Sequence, residues 1–154
     1  IDKDDTGFVN NAEDLYSSDL SIKAFYTLNV GYENTMEAAT FHALGEQLFT
    51  DGDFEEAAKA FDKAGSINKF ELPYRENAAN AHIRNGNKTK ALEILNTLIN
   101  EDETKSPRTF WLRGLLIYES GNKIEGCKDL IKVEQSKWIN NPEVFQQLCG
   151  SISQ

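Results

Sequence analysis

The chain has 154 residues, of which 40% are apolar and 27% charged, and its formal net charge at pH 7 is −9. This composition is ordinary for a folded globular domain, and no apolar stretch approaches the roughly 20 residues that a membrane-spanning helix needs. The negative charge argues against nucleic acid or an anionic membrane as the partner, because both attract positively charged surfaces.

The sequence begins at Ile1 rather than at a methionine, which favours a processed protein or a piece of a longer one. It contains no recognisable signal peptide, so it predicts no compartment. The oligomeric state is equally open.

A short turn motif recurs along the chain. Gly86-Asn87-Lys88 returns 35 residues later as Gly121-Asn122-Lys123, and the related Gly52-Asp53-Phe54 lies 34 residues before the first. The glycine can adopt the left-handed conformation that ends one helix, and the Asp or Asn after it can cap the next. Each unit is therefore predicted to be a helix, a tight turn and a second helix.

The predicted units follow one another in a single domain over residues 1–154. Residues 5–37 form a degenerate copy, in which Asp19 stands where the turn glycine would be. Clear copies follow at 38–71, 72–106 and 107–140. A last helix at 141–150 is predicted to cap the array, since a stack of repeats needs its final apolar face covered.

The flanks of the turns also repeat. Small residues recur at two fixed places, where the two helices of a unit are expected to cross closely, and large apolar residues recur at a third. The small residues are Gly45, Ala79 and Gly114, then Ala57, Ala91 and Gly126, and the large ones are Phe61, Leu95 and Leu130.

This pattern resembles the tetratricopeptide repeat (TPR). The best copy runs Phe41, Leu44-Gly45, Leu48, Gly52-Asp53-Phe54, Ala57, Phe61 and Ala64. The middle copy departs from the family pattern at Ala78-Ala79 and His82, and the closing proline is absent from the first two clear copies. The resemblance implies an all-α fold, a right-handed α-solenoid of helix-turn-helix repeats.

No pattern of catalytic residues is recognisable. The sequence lacks a nucleophile elbow, a phosphate-binding loop and a dinucleotide-binding glycine motif, and its histidines and cysteines lack metal-ligand spacing. We therefore predict a protein that is not an enzyme and that uses neither a cofactor nor a metal.

In TPR arrays the first helices of successive units line a concave groove, so the resemblance implies a protein or peptide partner bound there. Projecting the helical period onto these helices gives the inward positions. The predicted groove residues are His42, Glu46, Phe49, Asn77, Asn80, Arg84, Arg108, Trp111, Leu115 and Tyr118.

Two groups of these residues have alternative interpretations. Trp111 follows Phe110, which fills the packing position, so Trp111 either enters the groove or packs against the neighbouring unit. Arg84 and Arg108 either bind an acidic group of the partner or pair with the protein's own acidic residues.

One TPR subclass holds the C-terminal carboxylate of chaperones with a set of basic and amide side chains. The matching positions here are His42, Glu46, Asn77, Arg108 and Leu112. Glu46 would repel a carboxylate and Leu112 cannot bind one, so the sequence argues against that ligand.

The two cysteines, Cys127 and Cys149, fall on helices predicted to fold back on each other near Trp138. They are interpreted either as a disulfide that joins the cap helix to the last unit, or as two buried thiols.

The function predicted from the sequence is a scaffold that binds a protein or peptide segment. The alternatives are an accessory domain of a larger enzyme or transport complex, and a self-assembling structural module.

Overall fold

The computed structural model describes the backbone of residues 20–152 and the side chains of residues 33–152. The described part is all-helical, an α-solenoid of paired helices with a short helix at its end. Its helices are α1 (Leu20–Asp51), α2 (Phe54–Ile67), α3 (Leu72–Arg84), α4 (Lys88–Asn100), α5 (Pro107–Glu119), α6 (Lys123–Ser136) and α7 (Pro142–Cys149).

The helix pairs α1/α2, α3/α4 and α5/α6 are joined by the turns that the sequence predicts. Gly52, Gly86 and Gly121 have φ angles of +86°, +81° and +101°, a region that favours glycine. The side chains of Asp53, Asn87 and Asn122 then accept hydrogen bonds from backbone N–H groups in the first turn of α2, α4 and α6. Left-handed glycine and side-chain cap together reverse the chain within two residues.

The α1 helix differs from the predicted arrangement. It runs without a break from Leu20 to Asp51, so the boundary predicted between residues 37 and 38 falls inside it. The physical reason is local, because no proline or glycine separates Gly31 from Gly45, and Glu37, Ala38 and Ala39 favour helix. The predicted turn residue Asp19 and the first helix of the degenerate copy lie outside the described residues.

The two helices of a unit approach most closely at small residues. A Cβ atom added to Gly45 would lie 2.6 Å from the Phe61 ring, and one added to Gly126 would lie 2.6 Å from the Gly114 carbonyl oxygen. In the middle unit Ala79 and Ala91 are fully buried. The close crossings predicted from the sequence therefore occur in the first and third of these units, and the small residues of the middle unit are buried.

The core is divided into three apolar clusters that follow one another along the array. They centre on Phe61, on Leu95 with Leu116, and on Leu130 with Phe145. Each cluster is shared by helices adjacent in the stack, as expected when each repeat contacts only its neighbours. Among the described helices, none is both long and apolar enough to cross a membrane.

Candidate partner-binding groove

The first helices of three successive units meet at a cavity of about 240 Å³. Residues of α1, α3 and α5 line it, with the Phe61 ring of α2 at its base. Its lining consists of Glu46, Phe49, Thr50, Phe61, Asn77, Asn80 and Arg108. Five of the ten predicted groove residues are thus brought together around one cavity, which we call the groove cavity.

His42 adjoins the groove cavity through Asn77. The His42 Nε2 atom lies 2.8 Å from Asn77 Nδ2, and the ring stacks against Tyr74 with centroids 4.6 Å apart. The imidazole is half-buried, so it supports the wall of the cavity and does not project into solvent.

Arg84 adjoins the cavity on another side, through Phe49. Its guanidinium carbon lies 4.8 Å from the Phe54 ring centroid and 6.0 Å from that of Phe49. The residue is exposed, and no acidic side chain of the described residues pairs with it. The charge of Arg84 is therefore free to meet a partner, while its planar group rests on the two rings.

Arg108 is already paired within the protein. Its Nη1 atom donates to Glu76 Oε2 at 3.3 Å, and its Nη2 atom donates to Asn77 Oδ1 at 2.6 Å. Of the two interpretations of Arg108, the structure therefore agrees with the one in which the arginine pairs with an acidic residue of the protein itself. The same applies to Arg75, which pairs with Asp102, and to Arg113, which donates twice to Asp129.

The polarity of the hydrogen bonds around Asn77 follows from Arg108. A guanidinium can only donate, so Asn77 Oδ1 must accept from it and Asn77 Nδ2 must be the donor to His42. His42 Nε2 is then the acceptor, and the neutral ring carries its hydrogen on Nδ1. That atom lies 3.9 Å from Glu46 Oε2. One directed chain of hydrogen bonds therefore links α5 to α3 and α3 to α1.

Glu76 anchors this chain and was missed by the analysis of the sequence. Its carboxylate is buried and accepts hydrogen bonds from Ser106 Oγ at 2.6 Å and Thr109 Oγ1 at 2.5 Å, in addition to Arg108. The repeat pattern could have identified Glu76, because it occupies the same position in its unit as two predicted groove residues, His42 and Trp111, occupy in theirs. Ser106 is the N-cap residue of α5, but its side chain does not cap the helix and its hydroxyl donates to Glu76 instead.

The other three predicted groove residues do not reach the groove cavity. Trp111, Leu115 and Tyr118 are half-buried and pack against the apolar cluster shared by α5, α6 and α7. The Trp111 ring meets Phe145 of α7 edge-on, with centroids 6.2 Å apart. Trp111 thus packs within the array, as in the alternative to the groove position, but its aromatic neighbour belongs to the terminal helix α7 and not to the next unit.

The two cysteines join α6 to α7 beside that cluster. Both are buried, their Cα atoms are 5.6 Å apart, and the Cys127 and Cys149 sulfur atoms form a disulfide. Of the two interpretations left open by the sequence, the structure contains the disulfide.

Three other cavities of the described residues are larger, at about 340, 410 and 460 Å³. They are lined mainly by second helices and by the segments between helices, and none includes a predicted groove residue. No three His, Cys, Asp or Glu side chains within the described part of the chain are arranged to hold a metal ion.

The paired helices, glycine turns and close crossings define a TPR fold. A solved structure with this fold, titled "First TPR of Spaghetti (RPAP3) bound to HSP90 peptide SRMEEVD", superposes with a TM-score of 0.65 and 18% sequence identity. The match covers 78% of this chain and 96% of that one. No protein-family model and no curated protein sequence matches the chain.

Proposed function

We propose that this chain is a protein-interaction module that binds an extended peptide segment across its first helices, with the groove cavity as the central contact. The observation that carries the proposal is the convergence of Glu46, Phe49, Asn77, Asn80 and Arg108, from three successive units, on one cavity. Polar groups on rigid helices above an aromatic ring are the usual composition of a site that orients a ligand.

Asn80 is the side chain that we expect to hold the peptide backbone. Its amide makes no hydrogen bond to the described residues, although it lines the cavity and is half-buried. An amide side chain both donates and accepts, so it can pair with the N–H and C=O groups of one peptide unit.

We assign the acidic group predicted for the partner to Arg84 alone. Arg108 is paired with Glu76 at 3.3 Å and so offers little attraction to a further carboxylate. Arg84 is exposed beside Phe49 at the rim of the cavity and has no acidic partner among the described residues.

The chaperone peptide bound by the structural neighbour is not the ligand that we expect. SRMEEVD ends in a carboxylate, whereas Glu46 lines the cavity here and Leu112 belongs to an apolar cluster. An accessory domain of a larger enzyme or transport complex remains the alternative to an independent scaffold, and the natural reading frame distinguishes the two.

The test is selection of peptides from a library of random short sequences on the immobilised chain and on two variants. Asn80→Ala removes the unpaired amide from the cavity, and Asn100→Ala makes the same change at the exposed end of α4. We expect peptides captured by the chain and by Asn100→Ala to bind Asn80→Ala at least about tenfold more weakly, the effect of losing well-placed hydrogen bonds. Equal binding to all three proteins contradicts the groove as the site, and synthetic SRMEEVD serves as the weak-binding comparison.

A further inference from the structure

The charged side chains that line the groove cavity do not balance. Arg108 and Glu76 neutralise each other, with Nη1 and Oε2 3.3 Å apart. The cavity wall then retains one acidic side chain, Glu46, which is 62% exposed. The His42 Nδ1 atom lies 3.9 Å from this carboxylate. The lining of the groove cavity is therefore net negative, while the positive charge of Arg84 lies at its rim beside Phe49.

Three side chains that line the cavity have acceptor oxygens available. Both polar atoms of Asn77 are used, one by Arg108 and one by His42. The Thr50 hydroxyl donates to the Glu46 backbone carbonyl at 2.8 Å, which leaves its oxygen lone pairs available. With the Glu46 carboxylate and the Asn80 amide oxygen, the cavity presents acceptors of three kinds to an incoming donor.

An aromatic ring completes the wall. Phe49 lines the cavity one helical turn from Glu46 on α1. An aromatic face attracts a cation within about 6 Å, and its apolar surface suits the methylene stem of a long basic side chain. The volume of about 240 Å³ is below the range of roughly 300–1,000 Å³ typical of small-molecule sites, so it suits one side chain better than a whole ligand.

We propose that the groove cavity is a subsite for a lysine or arginine side chain of the bound segment, with Glu46 as its counter-ion. This inference rests on the proposed function and specifies its ligand class. The stem lies against Phe49, and the charged end donates to the Glu46 carboxylate. The partner segment thus carries a basic residue for this cavity in addition to the acidic group assigned to Arg84.

Two matched variants test the subsite. Glu46→Gln keeps the shape of the side chain and removes its charge. Glu134→Gln makes the same change on the exposed part of α6, so it controls for the overall negative charge of the protein. Random short peptides are selected on the intact chain and on both variants, and the composition of each captured pool is compared with the unselected library.

We expect the pools from the intact chain and from Glu134→Gln to be enriched in lysine or arginine, and the pool from Glu46→Gln to lose that enrichment. A peptide from the first pool should bind Glu46→Gln about fivefold more weakly, as expected for the loss of one charge-assisted hydrogen bond at a partly exposed site. Replacing its basic residue by norleucine should cause a similar loss with the intact chain and almost none with Glu46→Gln.

Three outcomes overturn the inference. Captured peptides without basic enrichment, or enrichment that persists with Glu46→Gln, remove the subsite and leave the proposed function standing. Enrichment in acidic residues at the cavity reverses its assigned polarity. If no peptide is captured by any of the proteins, the proposed function fails, and the subsite fails with it.

Discussion

The Glu76 Oε2 atom lies 3.3 Å from the Arg108 Nη1 atom, so a buried carboxylate of α3 holds the arginine that α5 contributes to the groove cavity. The hydroxyl groups of Ser106 and Thr109 donate to the other oxygen of the same carboxylate. One acidic side chain therefore fastens two successive units together and also cancels the positive charge of their shared groove.

Removing that carboxylate is expected to destabilise the array. Glu76→Ala should lower the free energy of unfolding by about 2–3 kcal/mol, because Arg108, Ser106 and Thr109 all lose an acceptor and hydrogen bonds to charged groups contribute about 1.5–3 kcal/mol. Urea unfolding followed by circular dichroism measures the change. Glu134→Ala, at an exposed position of α6, should stay within about 0.5 kcal/mol of the unmodified chain. Equal stability of the two variants contradicts the anchoring role of Glu76.

Arg84 is expected to contribute to binding through its charge. Once a binding peptide with an acidic residue is in hand, Arg84→Gln should weaken it and reduce the dependence of its affinity on salt, because one screened charge pair is lost. Arg84→Lys keeps the charge but not the planar stacking on Phe54, so it should recover most of the salt dependence. Titrations at low and high ionic strength measure both effects, and an unchanged salt dependence in Arg84→Gln rules out the assigned contact.

Trp111 is expected to matter for stability and not for binding. Its ring packs edge-on against Phe145 under α7, so Trp111→Ala should lower the free energy of unfolding by roughly 2–4 kcal/mol, towards the low end for a large aromatic residue because it is only half-buried. The variant that remains folded should bind peptide with unchanged affinity. A loss of affinity without a loss of stability would instead favour the groove position for Trp111.

The disulfide between Cys127 and Cys149 is expected to hold α7 against α6. Closing a loop with a sequence separation of 22 residues should stabilise the folded chain by about 3 kcal/mol, so reduction should lower the melting temperature. Thiol titration of the denatured, unreduced protein checks the premise, since it should detect no free thiol. Two titratable thiols would show that the cysteines are unpaired in the isolated protein.

The parts of the fold that the sequence predicts are those governed by local chemistry. A glycine followed by a capping Asp or Asn is enough to predict a tight turn between two helices. Gly52, Gly86 and Gly121 have the positive φ angles that this turn requires. The close crossings between helices could also be predicted from the sequence. The structure shows why a small residue is needed there, since a Cβ atom on Gly126 would lie 2.6 Å from the Gly114 carbonyl oxygen. A small residue that recurs at a fixed place in each unit indicates that two helices approach closely there.

The parts that the sequence does not predict depend on contacts between distant residues. Trp111 could not be assigned to groove or core without knowing that its ring meets Phe145 of α7, 34 residues later in the chain. Arg108 could not be recognised as neutralised, because its partner Glu76 lies 32 residues earlier and is buried only after the units stack. The α1 helix continues across the predicted boundary because no residue there ends it. The absence of a helix-ending residue is harder to recognise in a sequence than the presence of a proline or a glycine.

The directed hydrogen bonds from Arg108 to Asn77 and from Asn77 to His42 cross both junctions between units. Bending the array at either junction would strain one of these hydrogen bonds, so they oppose changes in the angle between neighbouring units. A segment seated in the groove cavity would stiffen the same junctions. A ligand held in the cavity by a few side chains is thus expected to limit the bending of the array as well as to mark its binding site.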